Sequence, residues 1–289
     1  MKRDLVGYAL LAPFLVLFIV FTVLPVLSSF ALSLTDYNIL QSPEFIGLNN
    51  FRLLFIEDDI FLIALENTLL FAVIAGPIGL MASFVFAWII NDLKFKHAFA
   101  LAFYAPSLTS AIAMSSIWLY FFSNDRYGLI NDLLIKFGLA QKPVLWTTSP
   151  KTILAVVIAI SIWMSMGTGF LVFLAGFQNL SQEIYEAAAI DGVPNKIYEL
   201  IYITIPMMKQ QLLFGSVTAI VSAFAVFDIA VQVAGLPSPD YAGHTIVAHM
   251  YDYAFNRLQL GYASGVACVL FVLTFTLGRA CMRIFRSDD

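Results

Sequence analysis

Charged side chains are scarce in this 289-residue sequence, at 12% against 61% hydrophobic, where soluble domains carry about 25%. The shortage excludes an ordinary soluble globule, because a core of this length would need a charged shell that is missing here. Basic clusters are also lacking and net charge is −4, so nucleic-acid binding has no electrostatic footprint. Cysteine is limited to Cys268 and Cys281, which form no partner pattern and say nothing about redox compartment. No G-x-x-x-x-G-K-[ST] loop occurs, so the chain is expected to bind no nucleotide. No converging acid, base, nucleophile or metal cluster stands out, which argues against an enzyme. His244 and His249 stand at near-helical separation without a third ligand, and are assigned to an external surface rather than to a metal.

What the sequence does have is long apolar runs, near 8–34, 61–90, 99–122, 151–177, 210–234 and 259–282. Roughly 20 residues of helix cross the hydrocarbon, so the pattern predicts an all-α membrane protein with about six transmembrane helices. The short alternating strands of a transmembrane barrel are missing. Met-Lys-Arg-Asp and the first run resemble a signal peptide. That run nevertheless lacks a clear Ala-x-Ala site and carries Pro13 and Pro25, so it is read as a retained span. Gly76, Gly79, Ser83, Gly167 and Gly169 permit close helix contact, and Pro77 can kink the second run. The 27 Phe and 12 Tyr suit lipid contact and helix packing.

Basic residues are divided unevenly between the two faces. Lys2, Arg3, Lys94, Lys96, Lys196, Lys209, Arg279, Arg283 and Arg286 fall on one side, and Arg52, Arg126, Lys136, Lys142, Lys151 and Arg257 on the other. The bias places both termini in the cytoplasm. The external connections are then about 35–60, 123–150 and 235–258. Within the second, Tyr127 to Phe137 has the spacing of a short interfacial helix that rests on the bilayer or receives a soluble partner.

The cytoplasmic connection between the fourth and fifth runs is the most distinctive segment. Ser181 is placed to cap a helix from Gln182, with Glu183 and Glu186 near its positive end. Ala187, Ala188 and Ala189 favour helix with little bulk. Gly192 can take positive φ and end it. Pro194 is placed to open a second helix through Ile197, Tyr198, Leu200 and Ile201 towards Pro206. Such a hairpin is either a plain interfacial connection or a lever docked on a soluble partner. Glu186 either contacts that partner or serves the helix dipole.

Glu186-Ala187-Ala188, Gly192 and Ile203-Thr204-Ile205-Pro206 resemble the coupling loop of membrane subunits in binding-protein-dependent ABC importers, with Ile205 where Leu is usual. Ten residues separate Gly192 from Ile203, one more than the usual count, and the turn near Val193 to Lys196 is expected to absorb it. Leu24-Pro25, Ser33-Leu34-Thr35-Asp36-Tyr37, Phe45 to Phe51, Glu66-Asn67-Thr68, Pro239 to Val247 and Gly261 to Gly265 are similar to sugar-uptake permeases of the maltose-importer class. The resemblance covers essentially the whole chain. It implies a type I ABC importer permease fold with a cytoplasmic coupling helix, and a non-enzymatic subunit forming half of a path for oligosaccharide uptake across the bacterial inner membrane. The implied partners are a second related permease, an ATPase dimer carrying ATP and Mg, an external solute-binding protein, the sugar and membrane lipid. It makes Glu186, Ala187, Ala188, Gly192 and Pro206 the coupling residues.

Asp228 is the most informative ionisable group in the runs, since such groups face protein or a water-filled cavity. With Glu66, Asn67, Ser222, Phe224, Phe227 and Gln232 it forms the candidate substrate path. Aromatic rings cover sugar faces, while amides and carboxylates bind hydroxyls. The alternative for these residues is gating or helix packing. Alternative substrates are glycerol phosphate or a polyol, although a phosphate would favour Lys or Arg inside the spans, which the sequence lacks. An ion-coupled secondary transporter is the further alternative, and it would not need the alanine-rich hairpin.

Overall fold

The computed structural model describes residues 2–285. Met1 and residues 286–289, with Arg286 of the charge count, lie outside the described residues. The chain opens with α1 (Lys2–Phe18), a π-helical turn over Ile19–Val23 and α2 (Leu24–Leu32). Two-residue strands β1 (Thr35–Asp36) and β2 (Glu44–Phe45) pair antiparallel. There follow α3 (Asn49–Arg52), a π turn over Leu53–Glu57, α4 (Asp59–Asn91), α5 (Lys96–Leu108), α6 (Ala111–Phe121) and α7 (Leu129–Lys136). Next come α8 (Ile153–Ser165), α9 (Thr168–Gln178), α10 (Gln182–Ile190), α11 (Lys196–Glu199), a π turn over Leu200–Thr204 and α12 (Ile205–Met207). The chain continues with α13 (Lys209–Phe224), α14 (Asp228–Ala234), α15 (Ile246–Tyr251), a π turn over Asp252–Asn256 and α16 (Leu260–Phe285).

Among the described residues, four helical stretches are long and apolar enough to cross a bilayer, namely Leu10–Leu32, Asp59–Asn91, Ile153–Gln178 and Leu260–Ile284. The pair α13 and α14, bent by 42°, makes a fifth if counted as one span. The run at 99–122 is not one helix. It divides into α5 and α6, and Ser110 between them is extended at φ −52° and ψ 137°. Pro77 lies inside α4 without ending it.

The chain forms two compact units, residues 1–62 with 246–272, and residues 63–245 with 273–289. In the first, the buried Asn50 donates from Nδ2 to the carbonyls of Ser33 and Thr35, both at 2.9 Å. The Gly261 N–H donates to the Tyr37 carbonyl at 3.0 Å. A Cβ there would collide with the Thr35 carbonyl, so only glycine admits this approach.

The same unit holds a polar cluster around Asp58. Its Oδ1 accepts from the Phe61 N–H at 2.9 Å, close to the start of α4. Its Oδ2 accepts from Tyr253 at 3.0 Å and Tyr262 at 2.5 Å, with His249 Nε2 at 3.3 Å. Burial pushes the Asp58 carboxyl up, but the bonds from His249, Tyr262 and Phe61 outweigh it and hold it well below the usual carboxylate range. Burial, and then the Asp58 charge, push the Tyr253 phenol up to about 12. His244 and His249 are both buried, at 2% and 1% exposure. This corrects their assignment to an external surface; His249 closes the polar cluster beside Asp58.

In the second unit, Phe71, Ile153, Val157, Ile160, Ala223 and Ala230 pack in one core cluster. Phe84, Phe170, Phe173, Phe177 and Met208 pack in another. Two of the predicted small-residue contacts form here. Ser165 lies where a Gly79 Cβ would stand, and Ser83 Oγ comes within 3.3 Å of one built on Gly169. The segment from Tyr127 to Phe137 holds the helix α7, which carries the buried Asn131. Its Nδ2 donates to the carbonyls of Ser123, Asp125 and Val144 at 2.9–3.0 Å. Its Oδ1 accepts from Val144 N–H and Trp146 Nε1, each at 3.0 Å.

Asp58 carries a depressed pKa, so its stabilisation is fully present above the ordinary carboxylate pKa and drains away as pH falls below about 4. Asp58→Asn should therefore lower the Tm of the detergent-purified protein by roughly 5 °C at neutral pH. The gap to the parent should narrow progressively below pH ~4, read by thermal unfolding across a pH series.

Candidate functional site

The structure presents two places where chemistry is concentrated, a cavity and the hairpin after α9. The cavity encloses about 460 Å³ and is walled by α4, α8, α9, α13 and the start of α14. Its wall includes the break between α13 and α14. Ala225, Val226 and Phe227 leave helical geometry there, with Phe227 at φ −138° and ψ −64°. Broken backbone at such a depth is tolerated where it lines a cavity and its polar groups find partners. The buried Thr245 supplies one, donating from Oγ1 to the Val226 carbonyl at 3.0 Å. The Ala225 N–H still reaches Val221, and the Phe227 carbonyl accepts from Val231 at 2.9 Å.

Of the predicted path residues, the cavity brings together Ser222, Phe227 and Asp228. Phe224 is buried at 3% exposure and is not part of the wall. Gln232 lies a turn further along α14, outside the wall. Glu66 is exposed on α4 away from the cavity. Asn67 donates from Nδ2 to the carbonyls of Tyr241 and His244 at 2.9 and 3.0 Å, so its amide hydrogens tie α4 to the segment before α15. Phe224 precedes the kink on a buried part of α13 and Gln232 follows it on α14, so neither shares the wall with Asp228.

Other wall residues have no sequence signal of function: Ser83, Ser161, Ser165 and Thr218. Three of their hydroxyls donate to backbone carbonyls, Ser83 to Gly79 at 2.8 Å, Ser165 to Ile162 at 2.7 Å and Thr218 to Phe214 at 2.8 Å. Ser161 Oγ has no hydrogen-bond partner among the described residues. Serines inside apolar runs read as helix-packing residues, and only their convergence distinguishes them.

The hairpin forms as the sequence predicts, with local corrections. Ser181 stands at the start of α10 with extended backbone, but its side chain makes no capping bond. Asn195 caps the second helix instead, accepting from the N–H groups of Ile197 and Tyr198 at 3.0 Å. Gly192 has φ +85° with open space around its Cα. Its constraint is therefore the backbone conformation rather than room for a side chain. The Asp191 and Val193 N–H groups close the end of α10 on the carbonyls of Ala187 and Ala188. Ala188 is buried, whereas Glu186, Ala187 and Pro206 are exposed.

Between the bend and Pro206 the chain makes a π turn at Leu200–Thr204, where the Ile205 N–H bonds to the Leu200 carbonyl. Such a turn holds one more residue than an α turn. Lys196 pairs with Asp92, and that contact holds its ammonium above the ordinary lysine range. Tyr185 and Thr204 hydroxyls lie 3.0 Å apart and join the two arms.

Long apolar helices around a walled cavity suit a membrane permease. No protein-family model matches the chain. It is 34% identical over 291 residues to the probable ABC transporter permease protein YesP of Bacillus subtilis, covering 100% of this chain and 92% of that one. It is 30% identical over 278 residues to the lactose transport system permease protein LacF of Rhizobium radiobacter, covering 95% and 92%. A solved bacterial ABC transporter involved in the import of the acidic polysaccharide alginate has a chain that superposes at a TM-score of 0.84 and 22% identity. That match covers 99% of this chain and 96% of the other. The chain belongs to the permease subunits of carbohydrate-uptake ABC importers, and it is a non-catalytic, multi-pass inner-membrane protein.

Thr245→Val removes the donor to the Val226 carbonyl at nearly constant volume, leaving that acceptor unpaired. It should destabilise the protein by about 1–3 kcal/mol, seen as a lower Tm with helical content retained by circular dichroism.

Proposed function

We propose that this chain forms half of the translocation path for ATP-driven uptake of an oligosaccharide. A second related permease forms the other half, and an external solute-binding protein delivers the sugar. The likeness to permeases named for lactose, for arabinooligosaccharides and for trehalose/maltose supports a sugar of that size. A solved relative pairs the same fold with a pentasaccharide-bound periplasmic protein, which supports the delivery step. Six spans with both termini in the cytoplasm give the topology, the broken pair α5 and α6 serving as the third. ATP and Mg belong to an ATPase dimer beneath.

The hairpin at 182–206 is the lever that this dimer grips. One observation carries the reading: its apolar surface is left uncovered by the chain itself. Ile190, Ile197 and Tyr202 are 87%, 61% and 69% exposed, and leaving such area in water costs about 25 cal/mol per Å². A groove on the ATPase offsets that cost. Glu186 and Ala187 lie exposed on α10 to meet it, Ala188 and Gly192 set the bend, and Pro206 lies exposed in α12 just past the π turn. Closure of the ATPase pair then shifts the cavity between outward and inward access.

Gly192→Asp puts a side chain at a φ that L residues resist. The variant should insert and co-purify with its partner permease at parental levels, while sugar uptake by whole cells falls at least about tenfold. ATP hydrolysis by the purified assembly should persist without binding-protein control. Parental uptake by this variant would refute the lever.

A further inference from the structure

Among the described residues, the charge lining the cavity is of one sign, and three of its hydroxyls have already spent their hydrogens. Asp228 supplies a carboxylate, which only accepts hydrogen bonds while ionised. Ser83, Ser165 and Thr218 already spend their hydrogens on carbonyls of their own helices. Their oxygens therefore face the cavity with lone pairs and no donor to offer. Ser161 and Ser222 complete the wall's hydroxyls and can still donate, but among the described residues no Lys or Arg lines the cavity. A ligand that satisfies the carboxylate and the three spent hydroxyls must bring donors of its own. It must also lack a negative charge, because an anion is itself an acceptor and would meet the like charge of Asp228 with no cation to offset it.

We propose that this cavity selects uncharged saccharides and rejects anionic ones, with Asp228 as the specificity-determining residue. Sugar hydroxyls donate to the Asp228 carboxylate and to the serine and threonine oxygens, while Phe214 and Phe227 offer apolar cover to the ring faces. Uronates, sulfated sugars and sugar phosphates lose on both counts, having fewer donors and a like charge beside Asp228. The inference rests on the reading of the cavity as part of the translocation path.

The test uses the purified assembly of both permeases and the ATPase, without the binding protein, whose own site would otherwise filter the ligands. Equilibrium dialysis compares lactose and maltotriose with a glucuronyl-glucose disaccharide, at matched concentration and pH 7. The parent should bind a neutral probe in clear preference to the uronate. Asp228→Asn removes the charge and adds an N–H donor at constant shape, so the neutral-to-uronate ratio should fall about tenfold or more. Asp228→Glu should restore most of it. Co-purification of each variant with the ATPase verifies assembly.

Ser222→Trp and Gly79→Leu obstruct the same cavity from α13 and α4, and separate the two levels of the claim. If neutral-probe binding survives both obstructions, the cavity is not the path and the reading beneath the inference falls with it. If obstruction abolishes binding but Asp228→Asn leaves the ratio unchanged, charge selection alone is overturned. Absence of binding by either neutral probe to the parent overturns both.

Discussion

Every backbone N–H and carbonyl within the hydrocarbon must find a partner inside the protein, and the organisation of the second unit follows from that constraint. Helices meet it automatically. Where the chain leaves helical geometry at Ala225–Phe227, partners have to be brought in from elsewhere in the sequence. The Thr245 hydroxyl on the Val226 carbonyl is such a partner, and Asn67 performs the same service for Tyr241 and His244. The break is thereby stable enough to end α13, redirect α14 by 42° and present Asp228 to the cavity. A continuous helix would satisfy its backbone more simply, without a partner from elsewhere in the sequence.

The cavity and the hairpin illustrate two ways in which small residues shape a permease. Around the cavity, glycines at Gly79 and Gly169 let serines on neighbouring helices come close enough to fill their places. Those serines bond to carbonyls, so their donors are spent and their acceptors are left over. In the hairpin, Gly192 contributes a backbone conformation and the alanines a low profile. Val193 closes the end of α10 on the Ala188 carbonyl, and the π turn at Leu200–Thr204 leads into α12 before the chain leaves helical geometry at Met208 and enters α13.

Much of the architecture was legible because lipid imposes a coarse and repetitive code. Long apolar runs predict helices, and four of the six expected spans appear as single long stretches, with a fifth formed by the bent pair. The helix α7 and the two-helix hairpin were legible from local patterns. The division of 99–122 into α5 and α6 was not read from the run's length, although Pro106, Ser107, Thr109 and Ser110 interrupt its apolar composition there. The kink before Asp228 was silent, with neither Gly nor Pro in Ala225-Val226-Phe227. Asn131 and Asp58 read as ordinary loop residues, yet each organises several bonds across distant parts of the sequence.

The sequence alone determined the membrane environment, the helical class, the family and the hairpin with its glycine bend. Each of these follows from composition or from neighbours within a few turns, where hydropathy and backbone preference act directly. Only the tertiary structure decided which polar groups share a wall, that Asn67 belongs to a backbone tie while Asp228 faces open space, and that His249 lies buried beside Asp58. Those outcomes depend on hydrogen bonds between residues as much as 204 positions apart, such as Tyr262 to Asp58. No local pattern encodes such a pairing. It is set by how packed helices are turned about their axes, and a rotation of one residue, about 100°, moves a side chain from a cavity to a core.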